Sequence, residues 1–104
     1  MTKIELLGQI RKSLEDIFGN RLKGVILYGS EARDEAAPDS DIDLLVILEG
    51  PVNLWDDTKT AVSALYDFQN ELMRSIHVVP VDAVEYEAQE FSIYRTAHEQ
   101  GLRV

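Results

Sequence analysis

The chain has 104 residues, of which 45% are hydrophobic and 28% charged; that is enough for one folded domain and leaves no room for a second core. Its formal charge of −9 leaves no excess of cations to neutralise phosphates, which argues against a broad nucleic-acid or anionic-membrane surface. The absence of cysteine excludes disulfide frameworks, cysteine-ligated zinc and thiol catalysis. No apolar run approaches the ~18 residues of a membrane span, and charge interrupts the segment Met1 to Glu5, so it lacks signal-peptide character. The expected location is the cytoplasm.

Ile4, Leu7, Ile10, Leu14, Ile17 and Phe18 recur at spacings of three and four and predict an amphipathic helix. Thr2 and Glu5 have capping-box spacing, and Gly19-Asn20 is a stop. Gly24 to Tyr28 is a short apolar run that reads as a buried strand ending at Gly29-Ser30. Ser30 to Arg33 reads as the start of a short helix, and residues 36–40 as a turn. A second strand is expected over Asp41 to Leu48, closed by Glu49-Gly50-Pro51.

A long helix is predicted over Leu54 to Met73, with Ala61, Val62, Leu65, Phe68, Leu72 and Met73 as its apolar stripe. Asn53 is its expected cap, and Asp56 and Asp57 face its N-terminal dipole. Ser75 to Val81 reads as a third strand. A last helix over Tyr86 to Gln100 packs through Phe91, Tyr94 and Ala97 and stops at Gly101. Leu102 to Val104 then forms a short edge strand. This order describes a mixed α and β (α+β) domain spanning residues 1–104, a small sheet flanked by helices. The pattern leaves the polarity of the sheet open.

Residues 28–46 carry the chemistry. Gly29 at a strand end permits a tight turn and close backbone approach to a ligand. The N–H groups of a following helix start, with the Ser30 hydroxyl, would make an anion cradle. Asp41 and Asp43, two apart on a strand, point to one face. Two carboxylates so close repel unless a cation lies between them, and Mg²⁺ takes a few carboxylates together with phosphate oxygens. Each half alone has an ordinary reading, Ser30 as a helix cap and the Asp pair as a solvated strand start. Their short connection lets them meet, which is the layout for metal-assisted phosphoryl or nucleotidyl transfer.

The run Gly29-Ser30-x-Ala32-Arg33 followed by Ser40-Asp41-Ile42-Asp43-Leu44-Leu45-Val46 resembles the signature of the minimal nucleotidyltransferases of the polymerase-β-like superfamily. Pro80-Val81, Glu85, Phe91 and Gly101-Leu102 resemble the tail of such domains more weakly. The resemblance implies the nucleotidyltransferase fold, Mg²⁺, and transfer of a nucleoside monophosphate from a triphosphate such as ATP to an acceptor hydroxyl. It implies that Gly29 and Ser30 hold the triphosphate, that Arg33 lies near the phosphates or supports the loop, and that Asp41 and Asp43 bind the metal. It also implies an antitoxin-like role beside a small helical partner of the HEPN type. In so small a domain the acceptor, or part of its site, must come from a partner or from a second copy in a homo-oligomer.

Two departures stand against the family pattern. Active members carry a third carboxylate on the strand after the long helix, and here that position is His77. Imidazole is a poor Mg²⁺ ligand but a competent base near neutral pH. His77 is therefore a substitute base, a relic in a nucleotide- or partner-binding module without transfer, or an ordinary strand histidine. Asp82, five residues on, would face the other way in a regular strand. The second departure is Asp34, an acid where many relatives have Gly. Trp55, the only Trp, reads as a core or interface anchor, Tyr28 as packing, His98 as exposed, and Asp82, Glu85, Glu87 and Glu90 as a solvated acidic face.

Overall fold

A computed structural model describes residues 2–29, 40–88 and 92–104 of the chain. The expected short helix after Ser30, the turn that follows it, and Phe91 and Glu90 lie outside the described residues.

Helix α1 spans Lys3–Phe18, and the Thr2 hydroxyl accepts a hydrogen bond from the Glu5 N–H at 3.1 Å. This is the N-cap that the Thr2/Glu5 spacing signals. Gly19 ends the helix at φ +58° with its N–H bonded back to the Glu15 carbonyl. A 3₁₀ turn, Gly19–Arg21, leads into β1, Leu22–Tyr28. Strand β2 covers Ile42–Leu48, helix α2 Leu54–Leu72 and strand β3 Ile76–Asp82. Helices α3 (Ala83–Ala88) and α4 (Ser92–Gln100) occupy the region of the expected last helix, and β4 is Leu102–Arg103. Among the described residues no helix is long and apolar enough to cross a membrane.

The described strands form one sheet in the order β3-β2-β1-β4. Strand β1 pairs antiparallel with β2 and β4, whereas β2 pairs parallel with β3. A parallel neighbour requires a crossover, and α2 supplies it. Side chains of β1 and β2 alternate between two cores. Val25, Leu27, Ile42, Leu44, Val46 and Leu48 pack with α1 and α2, while Ile26, Leu45 and Ile47 pack with Val81, Tyr86, Tyr94 and Ala97. Burial on both faces explains why these strands read as continuous apolar runs. The chain end is tied in through Val104, whose N–H and carbonyl bond the Val25 carbonyl and N–H at 2.9 and 3.1 Å.

Several expected core positions are exposed. Ile4 and Ile17 lie in the first and last turns of α1, at the margins of its buried arc, and Leu6 is buried instead. On α2 the buried side is Asp57, Ala61 and Leu65, so Val62 falls outside it. Met73 forms the left-handed C-cap, at φ 54°, and points away from the core. Trp55 is not a core residue either; it is 77% exposed.

Asp57 is the buried charged residue of α2 rather than a simple dipole partner. Its two carboxylate oxygens each accept from the Arg21 guanidinium at 3.0 Å, and Oδ2 also accepts from the Asn53 N–H at 3.1 Å. Arg21 further donates to the carbonyls of Glu49 and Pro51, both at 3.2 Å. One guanidinium thus joins the start of β1, the turn after β2 and the first turn of α2. The bonds from Arg21 hold the Asp57 carboxyl below its ordinary value of 3.8. A depressed carboxyl adds stability above the ordinary value and loses it as pH falls through the folded value. Asp57→Asn is expected to cost about 1–2 kcal/mol in urea unfolding at pH 7, charged hydrogen bonds being discounted for the exposure of Arg21. The deficit is expected to close as pH falls below 3.8.

Candidate active site

The site lies at the end of the sheet where β1 finishes and β2 begins. Gly29 leaves β1 at φ +75°, a conformation that side chains with a Cβ rarely adopt. It also permits a close approach: a Cβ there would stand 2.7 Å from Oδ2 of Asp43. The antiparallel register sets Tyr28 opposite Asp43, and the parallel register sets His77 opposite Asp43 from the other side. Asp43 is therefore the centre of a row across three strands.

Asp41 stands at the threshold of β2, which begins at Ile42 rather than at Asp41 as expected. His77 Nε2 is 3.0 Å from Asp41 Oδ2. Asp41 thus bonds the imidazole that the register sets opposite Asp43. Two contacts fix the entry to the strand: the Ile42 N–H donates to the Ser75 carbonyl at 2.8 Å, and Arg74 Nε donates to the Ser40 carbonyl at 2.8 Å. Arg74 carries no signal in the sequence, because its role depends on the parallel pairing of β2 with β3.

Burial pushes the Asp43 carboxyl above its ordinary range; His77 pulls it down, and the Asp41 charge pushes it further up. Burial, with the Asp43 charge, also raises the Tyr28 hydroxyl. These groups are ones that an added cation would relieve.

The chemistry of the donors fits a divalent ion held by two carboxylates and completed by phosphate oxygens and water. Among the described residues no group of three His, Cys, Asp or Glu is arranged to hold a metal. Asp82 does not supply the third acid. It pairs with Leu48 at the far end of β3, and its Oδ1 accepts from the N–H groups of Val84 and Glu85 at 2.8 and 3.2 Å as the start of α3. Ser30, Arg33 and Asp34 lie outside the described residues.

A family pattern described as a nucleotidyltransferase domain matches residues 7–104. The chain belongs to the nucleotidyltransferase domain family. It is 28% identical over 76 residues to "Putative protein adenylyltransferase MJ0141" of Methanocaldococcus jannaschii, covering 72% of this chain and 77% of that one. Among solved structures it resembles a toxin–antitoxin crystallised with AMP-PNP, at TM-score 0.67 and 18% identity, over 92% of this chain and 69% of that one. It also resembles a mutant of the toxin–antitoxin MntA-HpeT, at TM-score 0.65 and 16% identity, with the same coverage of 92% and 69%. At these identities the solved structures establish the nucleotidyltransferase fold.

Two outcomes follow for the candidate site. Gly29→Ala is expected to lower stability by about 1–3 kcal/mol in urea unfolding, the scale of forcing a side chain into a left-handed conformation. Asp43→Asn is expected to do the reverse in metal-free buffer. A raised carboxyl penalises the fold increasingly as pH climbs through its folded value. The amide variant should therefore melt above the parent at pH 7, and this advantage should vanish below the ordinary value of 3.8.

Proposed function

We propose that the chain moves a nucleoside monophosphate from a nucleoside triphosphate, ATP first among candidates, onto a hydroxyl of an acceptor protein. The observation that carries the reading is the meeting of the Gly29 turn with the Asp43 carboxylate, with Asp41 beside them. Gly29, together with Ser30 and Arg33, would hold the triphosphate. Asp41 and Asp43 would hold Mg²⁺, which when bound offsets the charge developing on the phosphate oxygens.

The chain's own residues then have defined tasks. The backbone at Gly29 brings the triphosphate close to the carboxylates, with no Cβ in the way. Tyr28, opposite Asp43, packs against the second core. In the reaction the acceptor oxygen bonds to the α-phosphorus as the bond to pyrophosphate breaks, and the hydroxyl proton must leave to a base. His77, oriented by Asp41, is the candidate for that base, since an imidazole aligned by a carboxylate is a recurrent proton acceptor. The likeness to a protein adenylyltransferase and to toxin–antitoxin complexes supports a protein acceptor and an antitoxin-like setting; a HEPN-type partner is what the sequence signature's family resemblance adds to this reading.

A second reading rests on the same His77. With imidazole in place of a third carboxylate, and Asp82 engaged elsewhere, the site binds nucleotide or partner without transfer. The deciding assay is pyrophosphate release and acceptor labelling by the purified chain with each triphosphate and Mg²⁺. Transfer that falls at least about 100-fold in Asp41→Asn/Asp43→Asn, the scale of removing a transition-state stabiliser, supports the enzyme. His77→Ala should then cost about 100-fold or more, as for a general base. Nucleotide binding that depends on the Asp pair, with turnover gained only in His77→Asp, supports the binding module.

A further inference from the structure

Helix α2 carries an apolar stripe that neither the cores nor the candidate site uses. Leu54, Trp55, Val62 and Tyr66 are 65%, 77%, 46% and 57% exposed. Their spacing lines one side of the helix over about three turns, or ~16 Å. The adjoining side holds Asp57, Ala61 and Leu65 in the core. Leu54, Trp55 and Val62 line a shallow groove with Thr58, Lys59 and Ser63. Leu54 also borders a second groove formed with Val52, Pro80 and Tyr94, so the apolar surface continues around the start of α2. This surface follows the end of β2, whereas the candidate active site lies at that strand's beginning.

Patches of this kind on a small chain mark an interaction surface. The rim identifies the occupant. Asp82 and Glu85 border the second groove, and Lys59 is the one cation lining either groove among the described residues. A second copy is a poor fit. Pairing two stripes about a two-fold axis would bring together chains that each carry −9. We propose that the stripe docks an amphipathic helix of a different protein, with an apolar seam flanked by Lys or Arg. Trp55 is the central anchor, the aromatic type that dominates interface energetics. The proposal does not depend on the nucleotidyl-transfer reading.

Trp55, as the only Trp, reports its own burial through its fluorescence. The probes are synthetic amphipathic helices with a Leu seam and either Lys or Glu flanks, and a scrambled peptide of the Lys composition, each titrated into the full chain. The Lys-flanked helix is expected to shift Trp55 emission to the blue and to bind at least about tenfold tighter than the other two, a discrimination of ~1.4 kcal/mol. Val62→Ser/Tyr66→Ser, checked for unchanged melting, is expected to lose that binding about tenfold and to keep its affinity for an ATP analogue. Equal binding of the scrambled peptide, no blue shift, or undiminished affinity in the double variant would overturn the proposal. So would a concentration-dependent blue shift with doubling of the sedimenting mass of the chain alone, which would assign the stripe to a second copy.

Discussion

Strand β2 is the constraint on which the rest of the structure depends. It is paired on both edges, antiparallel to β1 and parallel to β3, and is buried on both faces. A one-residue slip against either neighbour would exchange its core faces and place charge in one of them. The same two registers bring Tyr28 and His77 to either side of Asp43. Packing and chemistry are therefore specified together: the apolar run Leu44 to Leu48 holds the strand, and its polar beginning holds the site.

The site costs stability that the cores must supply. Asp43 carries a carboxylate whose burial and like-charged neighbour disfavour ionisation, and Gly29 gives up side-chain packing so that the chain can turn against it. Arg21 works in the other direction. Its bonds to Asp57, Glu49 and Pro51 fasten the far end of β2 to α2, so the strand is clamped at the end away from the chemistry. A fold with a charged, open end and a tied, closed end suits the proposed uptake of a polyanion and its cation.

The exposed side of α2 gives the molecule a second kind of surface. Its apolar groups are carried on a helix that the Arg21–Asp57 pair anchors at its first turn, so the stripe is rigidly presented. An interface at that end of the sheet can bring a second protein to the molecule without covering the row Tyr28, Asp43 and His77.

The sequence by itself determined the order of the elements from α1 to β3 that the structure describes, the Thr2 and Asn53 caps, the edge strand at Leu102 and the Gly29/Asp41/Asp43 spacing, but it read α3 and α4 as one helix. These rest on local periodicity, turn chemistry and short spacing, which act within a few residues. Only the tertiary structure decided the sheet polarity, the meeting of His77 with Asp41, the capping role of Asp82 and the pairing of Asp57 with Arg21. It also decided that Val62 and Trp55 face outward. Each of these depends on which element lies across from which, and side-chain periodicity marks an apolar face without naming its partner. Asp57 shows the limit most plainly: its position in the first turn of a helix favours a carboxylate in any case, so only the guanidinium arriving from the 3₁₀ turn before β1 reveals why it is buried.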